Sequence, residues 1–333
     1  VEYVGYLRPG SLQAGRLEGW PVHDRLRWVE TPRWLMPCRG AWDRLDLYHG
    51  PNFKMHTTGR SGGIVTIHDL WLVRHPEYSR KLLGQAGSSR RAIATANRAR
   101  RVVTVSEFSA REIEALYGIP RERVVVIHNG VTEEFSPVQD EQGMAVLRAR
   151  WAIPSAGFIL FVGGADPRKN HRVFLQAVAQ SRSQLGGRAI LLVGDAEHPQ
   201  GSYLATARSL GLEQDVRCTG RLNREDLCRL YSYAEVFVFP SLYEGFGMPV
   251  LEAMACGAPT ITSSTSSLPE VAGDAALLVN PEDAEALGAA MVKVLSEQAL
   301  QQQLRDRGFE RTRLFTWQRA ALRTSALYRE LCA

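Results

Sequence analysis

A strand, a glycine loop, a helix and a second strand follow one another between residues 235 and 263. Residues 235–239 are predicted to form a buried strand, because the four residues after Glu235 are all aromatic or β-branched. Pro249 suits the first position of a helix, and Gly257, with a proline shortly after it, marks the helix end. Residues 260–262 form the next strand. This order is typical of an α/β fold in which the N–H groups at a helix start face a ligand and favour a phosphate.

Two carboxylates make this stretch specific. Glu244 lies in the loop and Glu252 in the first helical turn, with seven residues between them. Carboxylates are poor ligands for a phosphate, but they are good acceptors for the hydroxyl groups of a sugar. Two glutamates at this spacing are commonly a solvated pair, so the surrounding pattern P-S-x-x-E-G-F-G-x-P carries the specificity. The stretch resembles the retaining glycosyltransferases of family 4, which have the GT-B fold.

The rest of the chain alternates strands with helices, which predicts parallel α/β sheets. This agrees with the GT-B fold, in which two Rossmann-like doubly wound domains face a cleft. The sequence contains no G-x-G-x-x-G fingerprint and no phosphate-binding P-loop, so neither a dinucleotide dehydrogenase nor an ATPase is supported. Further strands are predicted at residues 46–49, 64–68, 102–106, 124–128, 158–162, 189–193, 216–219 and 276–279.

A length of 333 residues favours two domains. The resemblance implies an acceptor-binding domain over residues 1–145, without the family's usual first strand, and a nucleotide-sugar-binding domain over residues 146–315. It also implies that a helix over residues 316–333 returns to the first domain.

In the first domain, polar residues follow the predicted strands, where ligands of parallel sheets bind. His68 follows one strand in T-I-H-D-L, and Ser106, Asn129 and Gly130 follow the next two. A single histidine at a strand end is more often a structural hydrogen-bonding group. The resemblance places His68 in the site and makes the other three candidates for the cleft or the acceptor.

In the second domain, the adjacent cations Arg168 and Lys169 follow a strand in V-G-G-A-D-P-R-K-N. Such a pair is often only a surface feature, but opposite a helix start it suits a diphosphate. In the commoner family variant an arginine stands where this chain has Gly164. The resemblance makes His68, Arg168, Lys169 and Glu244 catalytic and assigns donor binding to Gly163, Gly164, Leu222, Phe246, Gly247, Met248, Pro249, Val250, Leu251 and Glu252.

The segments H-G-P-N-F, T-I-H-D-L and R-H-P-E resemble bacterial mannosyl- or rhamnosyltransferases of polysaccharide assembly. They imply a nucleotide diphosphate-sugar as donor substrate, with GDP-mannose favoured and a UDP-sugar left open, and a saccharide or lipid-linked acceptor. The chain has no D-x-D motif, so no metal and no cofactor is expected.

Charge is unevenly distributed along the chain. Residues 1–140 hold 20 lysines and arginines against 15 acids, and seven cations but no acid lie between Glu77 and Glu107. The basic segment over residues 80–101 is either a solvated face or a peripheral contact with anionic lipid. Nucleic acid is not expected, because no recognition motif occurs. The five scattered cysteines and the lack of a long apolar run predict a cytoplasmic protein, at the inner face of the membrane if the lipid contact forms.

Two alternatives remain at this point. One is another GT-B enzyme, such as a nucleotide-sugar epimerase or a phosphorylase, and the other is a non-catalytic sugar-binding subunit. The paired glutamates favour the transferase over the former, and the intact His68, Lys169, Glu244 and Glu252 argue against the latter.

Overall fold

The computed structural model describes residues 3–7, 26–32, 35, 43–55, 62–78, 85–198 and 201–333. Residues 10–19, which the sequence predicts to be a loop between two glycines, lie outside these ranges. In the described part of the first half, a four-stranded parallel sheet has the order β3-β4-β5-β6, and two further strands, β1 and β2, pair in parallel with each other. The strands are β1 (Tyr3–Leu7), β2 (Leu26–Glu30), β3 (Leu47–Gly50), β4 (Gly62–Ile67), β5 (Arg101–Thr104) and β6 (Val124–Val126), and the helices are α1 (Trp71–Arg74), α2 (Gln85–Arg98) and α3 (Glu107–Tyr117).

The described residues of the second half form a six-stranded parallel sheet, the C-terminal sheet, with the order β11-β8-β7-β12-β13-β14. This is the doubly wound order of a Rossmann fold, and its topological switch point lies between β7 and β12. Its strands are β7 (Phe158–Val162), β8 (Ala189–Val193), β11 (Val216–Gly220), β12 (Val236–Phe239), β13 (Thr260–Ser263) and β14 (Ala276–Val279). Two short strands, β9 (Glu197–His198) and β10 (Gly201–Ser202), form a separate antiparallel pair. The helices are α4 (Glu141–Arg150), α5 (His171–Ser181), α6 (Tyr203–Ser209), α7 (Arg224–Tyr233), α8 (Met248–Ala255), α9 (Leu268–Ala272), α10 (Ala284–Ser296), α11 (Gln298–Thr312) and α12 (Trp317–Cys332).

Both faces of the C-terminal sheet are buried, and successive side chains of each strand point to opposite faces. In β12, Phe237 and Phe239 pack into one core with the apolar face of α8. Val236 and Val238 pack into the other core, against α5 and α10. Unbroken apolar strands, rather than alternating ones, are therefore what this sheet requires. The predicted parallel α/β architecture is confirmed.

Helix α4 packs on the second half, because its Met144 and Leu147 enter a core of the C-terminal sheet. The predicted domain boundary between residues 145 and 146 falls inside this helix, and the division itself stays a prediction. Helix α12 lies on the four-stranded sheet, where Leu327 and Leu331 pack against residues of β4 and β5.

Arg100 and Arg101 at the end of the basic segment contact this last helix. Arg100 donates to the carbonyl of Leu331, at 2.7 Å, and Arg101 to the carboxylate of Glu330, at 3.0 Å. Lys81 lies outside the described residues, as does the arginine before it, so a lipid contact through residues 80–101 stays a prediction. None of the helices described here is long and apolar enough to cross a membrane.

Candidate active site

The site is built at the switch point of the C-terminal sheet, where the chain leaves β7 and β12. After β7 a short 3₁₀ turn, Pro167–Lys169, is capped by the carboxylate of Asp166, which accepts from the N–H of Arg168 at 2.9 Å. Asn170 ends this turn in a left-handed conformation, and its side-chain amide donates to the carbonyl of Pro240 at 3.0 Å. The turn is thereby tied to residues 240–247, the loop after β12, which is called here the glutamate loop.

Lys169 and Glu244 form a buried ion pair at this point. The Nζ of Lys169 lies 2.7 Å from Oε1 of Glu244, and only 14% and 9% of the two side chains are exposed. The hydroxyl of Ser241 lies 2.6 Å from the same carboxylate. Burial alone raises the pKa of Glu244, but the charges of Lys169 and Arg168 and the hydrogen bonds outweigh it, so this pKa lies below its ordinary value. Glu244 is therefore a charged acceptor, and the ammonium keeps further N–H donors for a ligand.

Arg168 is a second cation, and the described residues that face its guanidinium are carboxylates at ion-pair rather than hydrogen-bond distance. Its guanidinium nitrogens lie 3.8 Å from a carboxylate oxygen of Asp69 and 3.9 Å from one of Asp166. Its buried Nε has no hydrogen-bond partner among the described residues. Both separations exceed ordinary hydrogen-bond lengths. The guanidinium can therefore accommodate an anion without breaking a well-formed contact.

Helix α8 starts directly after the glutamate loop. Gly247 precedes it with φ of 107° and supplies no side-chain cap. A Cβ atom at this position would lie 2.6 Å from a methyl carbon of Leu268, so both the conformation and the space favour glycine. The N–H groups of a first helical turn lack partners inside the helix and carry partial positive charge. A helix start with partial positive charge thus follows, within one loop, the carboxylate that pairs with Lys169.

The second glutamate has a different environment from the first. Glu252 lies one turn into α8, and the hydroxyl of the buried Tyr231 donates to it at 3.3 Å. Burial raises the pKa of Glu252. The two carboxylates therefore differ in charge stabilisation, because Glu244 has a cation in contact and Glu252 has a phenol.

His68 brings the first half of the chain to this site. Its exposed imidazole has Nε2 2.9 Å from the carbonyl oxygen of Pro51, and that ring nitrogen donates. Its backbone touches the glutamate loop: a Cβ atom placed on Gly245 would lie 2.2 Å from the carbonyl oxygen of His68. The strand end that carries His68 and the loop that carries Glu244 are therefore neighbours.

Two of the other candidates from the first half, Ser106 and Gly130, contact residues of the second half. Ser106 is fully buried, donates to the carbonyl of Gly245 at 2.7 Å and caps α3 by accepting from the N–H of Ser109. A Cβ atom on Gly130 would lie 2.1 Å from the backbone nitrogen of Trp317. Asn129 is half-buried after β6. An acceptor contact for Ser106, Asn129 or Gly130 stays a prediction.

The predicted donor-binding residues divide by burial. Val250 and Leu251 are wholly buried in the core, so any donor contact from them uses the backbone. Gly163 leaves room for Lys169, whose Cγ would lie 3.1 Å from a Cβ atom there. At Gly164 the nearest atom of the described residues would be 3.8 Å from a Cβ atom, which is an ordinary contact distance. Half-exposed positions are Leu222, Met248 and Pro249, while Phe246 is buried.

Three residues around the site escaped the sequence reasoning. Asp69 lies opposite Arg168, Ser266 accepts from the N–H of Glu244 at 3.1 Å, and Ser241 contacts the Glu244 carboxylate. Asp69 directly follows His68, and Ser241 is the serine of the P-S-x-x-E pattern. The sequence motifs therefore contain a signal for both residues. No local sequence pattern indicates that Ser266 contacts Glu244.

A doubly wound sheet whose switch point holds a buried cation–carboxylate pair, faced by the strand ends of another parallel sheet, is the arrangement of a GT-B glycosyltransferase. The structure of Anabaena HepE in complex with UDP and glucose has the same fold, with a TM-score of 0.75 over 98% of this chain and 99% of that chain, at 17% identity. Residues 146–311 match the family described as "Glycosyl transferases group 1", and residues 2–135 match "Glycosyltransferase Family 4". The chain belongs to this glycosyltransferase family.

Sequence relatives agree with this assignment. "O-antigen chain mannosyltransferase B" of Escherichia coli is 32% identical over 310 residues, which are 91% of this chain and 80% of that protein. "Serotype-specific mannosyltransferase WbdA" of Escherichia coli is 34% identical over 233 residues, 69% of this chain but only 28% of that protein. The predicted family and the prediction of a sugar-transferring enzyme are confirmed.

Proposed function

We propose that this chain is a retaining mannosyltransferase that transfers mannose from a nucleotide diphosphate-mannose, GDP-mannose in the first place, to a saccharide or lipid-linked acceptor of polysaccharide assembly. The ion pair of Lys169 with Glu244 beside the start of α8 is the observation that carries the proposal. The choice of mannose rests on the names of the relatives, and a nucleoside diphosphate as carrier rests on HepE, whose structure holds UDP. The choice of guanine as the base rests on the sequence resemblance alone.

The diphosphate is bound where positive charge converges. Lys169, Arg168 and the N–H groups at the start of α8 come from two adjacent strand ends. Charge that develops on the leaving diphosphate meets these fixed donors, which is usually the largest single contribution to catalysis. Because this cationic set is supplied by the chain itself, no metal ion is required in the proposal.

The glutamates orient the sugar parts of the donor. Glu244 is charged and accepts from hydroxyls of the transferred sugar, while Glu252 accepts from the ribose hydroxyls. Leu222 packs against the base, and His68 contacts the sugar or the acceptor from the opposite sheet.

Retention is assigned to attack from the face that the diphosphate leaves. The acceptor oxygen bonds to the anomeric carbon as the bond from that carbon to the phosphate oxygen breaks. The acceptor proton passes to the leaving phosphate oxygen, which yields the glycoside and the nucleoside diphosphate. Glu244 pairs with Lys169 at 2.7 Å and is therefore not used as a nucleophile.

The test is a screen of GDP-mannose, UDP-glucose, ADP-glucose and dTDP-rhamnose by thermal shift, followed by transfer and hydrolysis assays. A donor that binds the folded state alone raises the melting temperature. We expect GDP-mannose to give the largest shift and an α-linked product whose anomeric configuration is read by NMR. Inversion at the anomeric carbon would refute the mechanism. Binding without turnover would favour a non-catalytic subunit, and an isomerised free nucleotide sugar would favour an epimerase.

A further inference from the structure

Glu270 reaches across the cleft into the other half of the molecule. It lies on the short helix α9, after β13 of the C-terminal sheet. Its carboxylate accepts from the backbone N–H groups of Glu107, at 2.8 Å, and Phe108, at 3.2 Å. These are the first two residues of α3 in the first half of the chain. The same carboxylate accepts from Nε2 of His128, at 2.8 Å, and only 21% of the Glu270 side chain is exposed.

The physical chemistry of this contact is favourable. The first N–H groups of a helix have no partner inside the helix and attract a negative charge. Burial alone raises the pKa of Glu270, but hydrogen bonds from His128 and the two backbone amides outweigh it and lower this pKa. One carboxylate thus satisfies donors from two separate segments of the opposite half.

The contact continues into the donor site through His128. The imidazole of His128 stacks on the ring of Phe246, with centroids 5.9 Å apart and an angle of 30° between the planes. Phe246 belongs to the glutamate loop and directly precedes Gly247 at the start of α8. Glu270 therefore fixes a side chain that lies against the proposed diphosphate site.

Other contacts between the halves lie on the same loop but depend on neutral groups. The N–H of Leu70 donates to the hydroxyl of Tyr243 at 3.1 Å, and Ser106 donates to Gly245. The carboxylate of Glu270, in contrast, is a charged group that contacts an ionisable one across the cleft, the imidazole of His128. Arg168 and Asp69 form a second pair of this kind, at the longer distance of 3.8 Å.

We propose that Glu270 is a positioning residue for sugar transfer: by holding α3 and His128 it keeps the first half, with His68, in register with the donor bound by Lys169 and Glu244. Glu270 itself touches no substrate. The inference rests on the proposed function for the reaction that is positioned, but the closure of the two halves can be measured without turnover.

The variants are Glu270→Ala, which removes every acceptor, and Glu270→Gln, which keeps the shape and one neutral acceptor. Glu282→Gln, on an exposed glutamate of the same half, is the matched control. We expect Glu270→Ala to lower the kcat for transfer by about 10- to 100-fold, the range expected when hydrogen bonds to a charged group are lost. Glu270→Gln should lie between Glu270→Ala and the wild type. The Kd for GDP, measured by calorimetry, should not change, because the donor contacts lie in the second half.

Closure is read by small-angle X-ray scattering in the presence of GDP. Glu270→Ala should have a larger radius of gyration than the wild type, and His128→Ala should show the same increase. The double variant should lose little beyond either single variant, because both residues belong to one contact. A circular dichroism melt identifies unfolding of Glu270→Ala, in which case Glu270→Gln and His128→Ala decide.

Unchanged kcat and unchanged scattering in folded variants would overturn the proposal, as would equal losses in kcat and in GDP affinity. If the wild type transfers no sugar from any donor, the proposed function fails, whereas the scattering comparison still tests the role of Glu270.

Discussion

Replacing Lys169 by alanine removes the cation that lies 2.7 Å from the buried carboxylate of Glu244. Breaking a buried pair in this way leaves an uncompensated charge, and such a change costs about 3–5 kcal/mol. Ser241 remains as a hydrogen-bond donor to Glu244, so we expect the lower end, about 3 kcal/mol. For a domain of this size that corresponds to a fall in Tm of roughly 6–12 °C.

The double variant Lys169→Ala, Glu244→Gln separates stability from catalysis. It no longer buries a lone charge, so most of the lost Tm should return. Transfer should not return, because the diphosphate has lost its main cation, and we expect turnover at least about 100-fold below wild type in both variants. Lys293→Ala, at an exposed lysine of α10, is the matched control and should keep wild-type Tm and turnover.

The assays are differential scanning calorimetry and initial rates of transfer at saturating donor. Two results would refute the reasoning. If the Tm of Lys169→Ala equals that of the wild type, the pair is not buried in the way described. If the double variant recovers turnover together with Tm, Lys169 acts through folding alone and not on the diphosphate.

Three further predictions concern other parts of the molecule. Gly245→Ala should abolish most transfer while each half stays folded, because its Cβ would lie 2.2 Å from the carbonyl oxygen of His68 and force the halves apart; near-normal rates would contradict this. Burial lowers the pKa of His49 and of His171 to about 4, so the unfolded chain binds more protons than the folded one between pH 6.5 and about 4. Stability should therefore fall as the pH drops through that window, and His49→Gln should flatten the fall in a pH series of melts. Transfer should survive an excess of EDTA, since Lys169, Arg168 and the helix start supply the positive charge; loss that Mg²⁺ restores would require a metal ion in the mechanism.

Much of the second half could be predicted because each of its main strands is indicated by a local run of apolar residues. β7 and β8 have the predicted bounds, since each is an unbroken apolar run buried on both faces. The bounds of helix α3 are also set by local signals, because Ser106 caps its start and Gly118, with φ of 64°, ends it. Predicted strands β4 and β6 end before the sequence pattern suggests, where the chain turns into the cleft.

The pairing within the site was harder to predict than its members. Lys169 and Glu244 each belong to a recognisable motif, but their contact depends on how the turn after β7 packs against the loop after β12. Contacts between the halves lie beyond local patterns altogether. Ser106 meets Gly245, and Glu270 meets α3, across 139 and 163 residues of sequence. Phe315 is buried, whereas Trp317 is 45% exposed, because helix α12 turns its later residues, not its first, toward the sheet.

Helix α12 has a consequence for the synthesis of the chain. Ile64, Val103 and Ile127 form one face of the four-stranded sheet, and Leu327 and Leu331 cover them. The cover is thus translated about 200 residues after the strands it completes, which takes roughly 10–40 s at ordinary elongation rates. During that interval this apolar face of the nascent chain is exposed, and the binding of chaperones to it should be greatest before the last helix emerges.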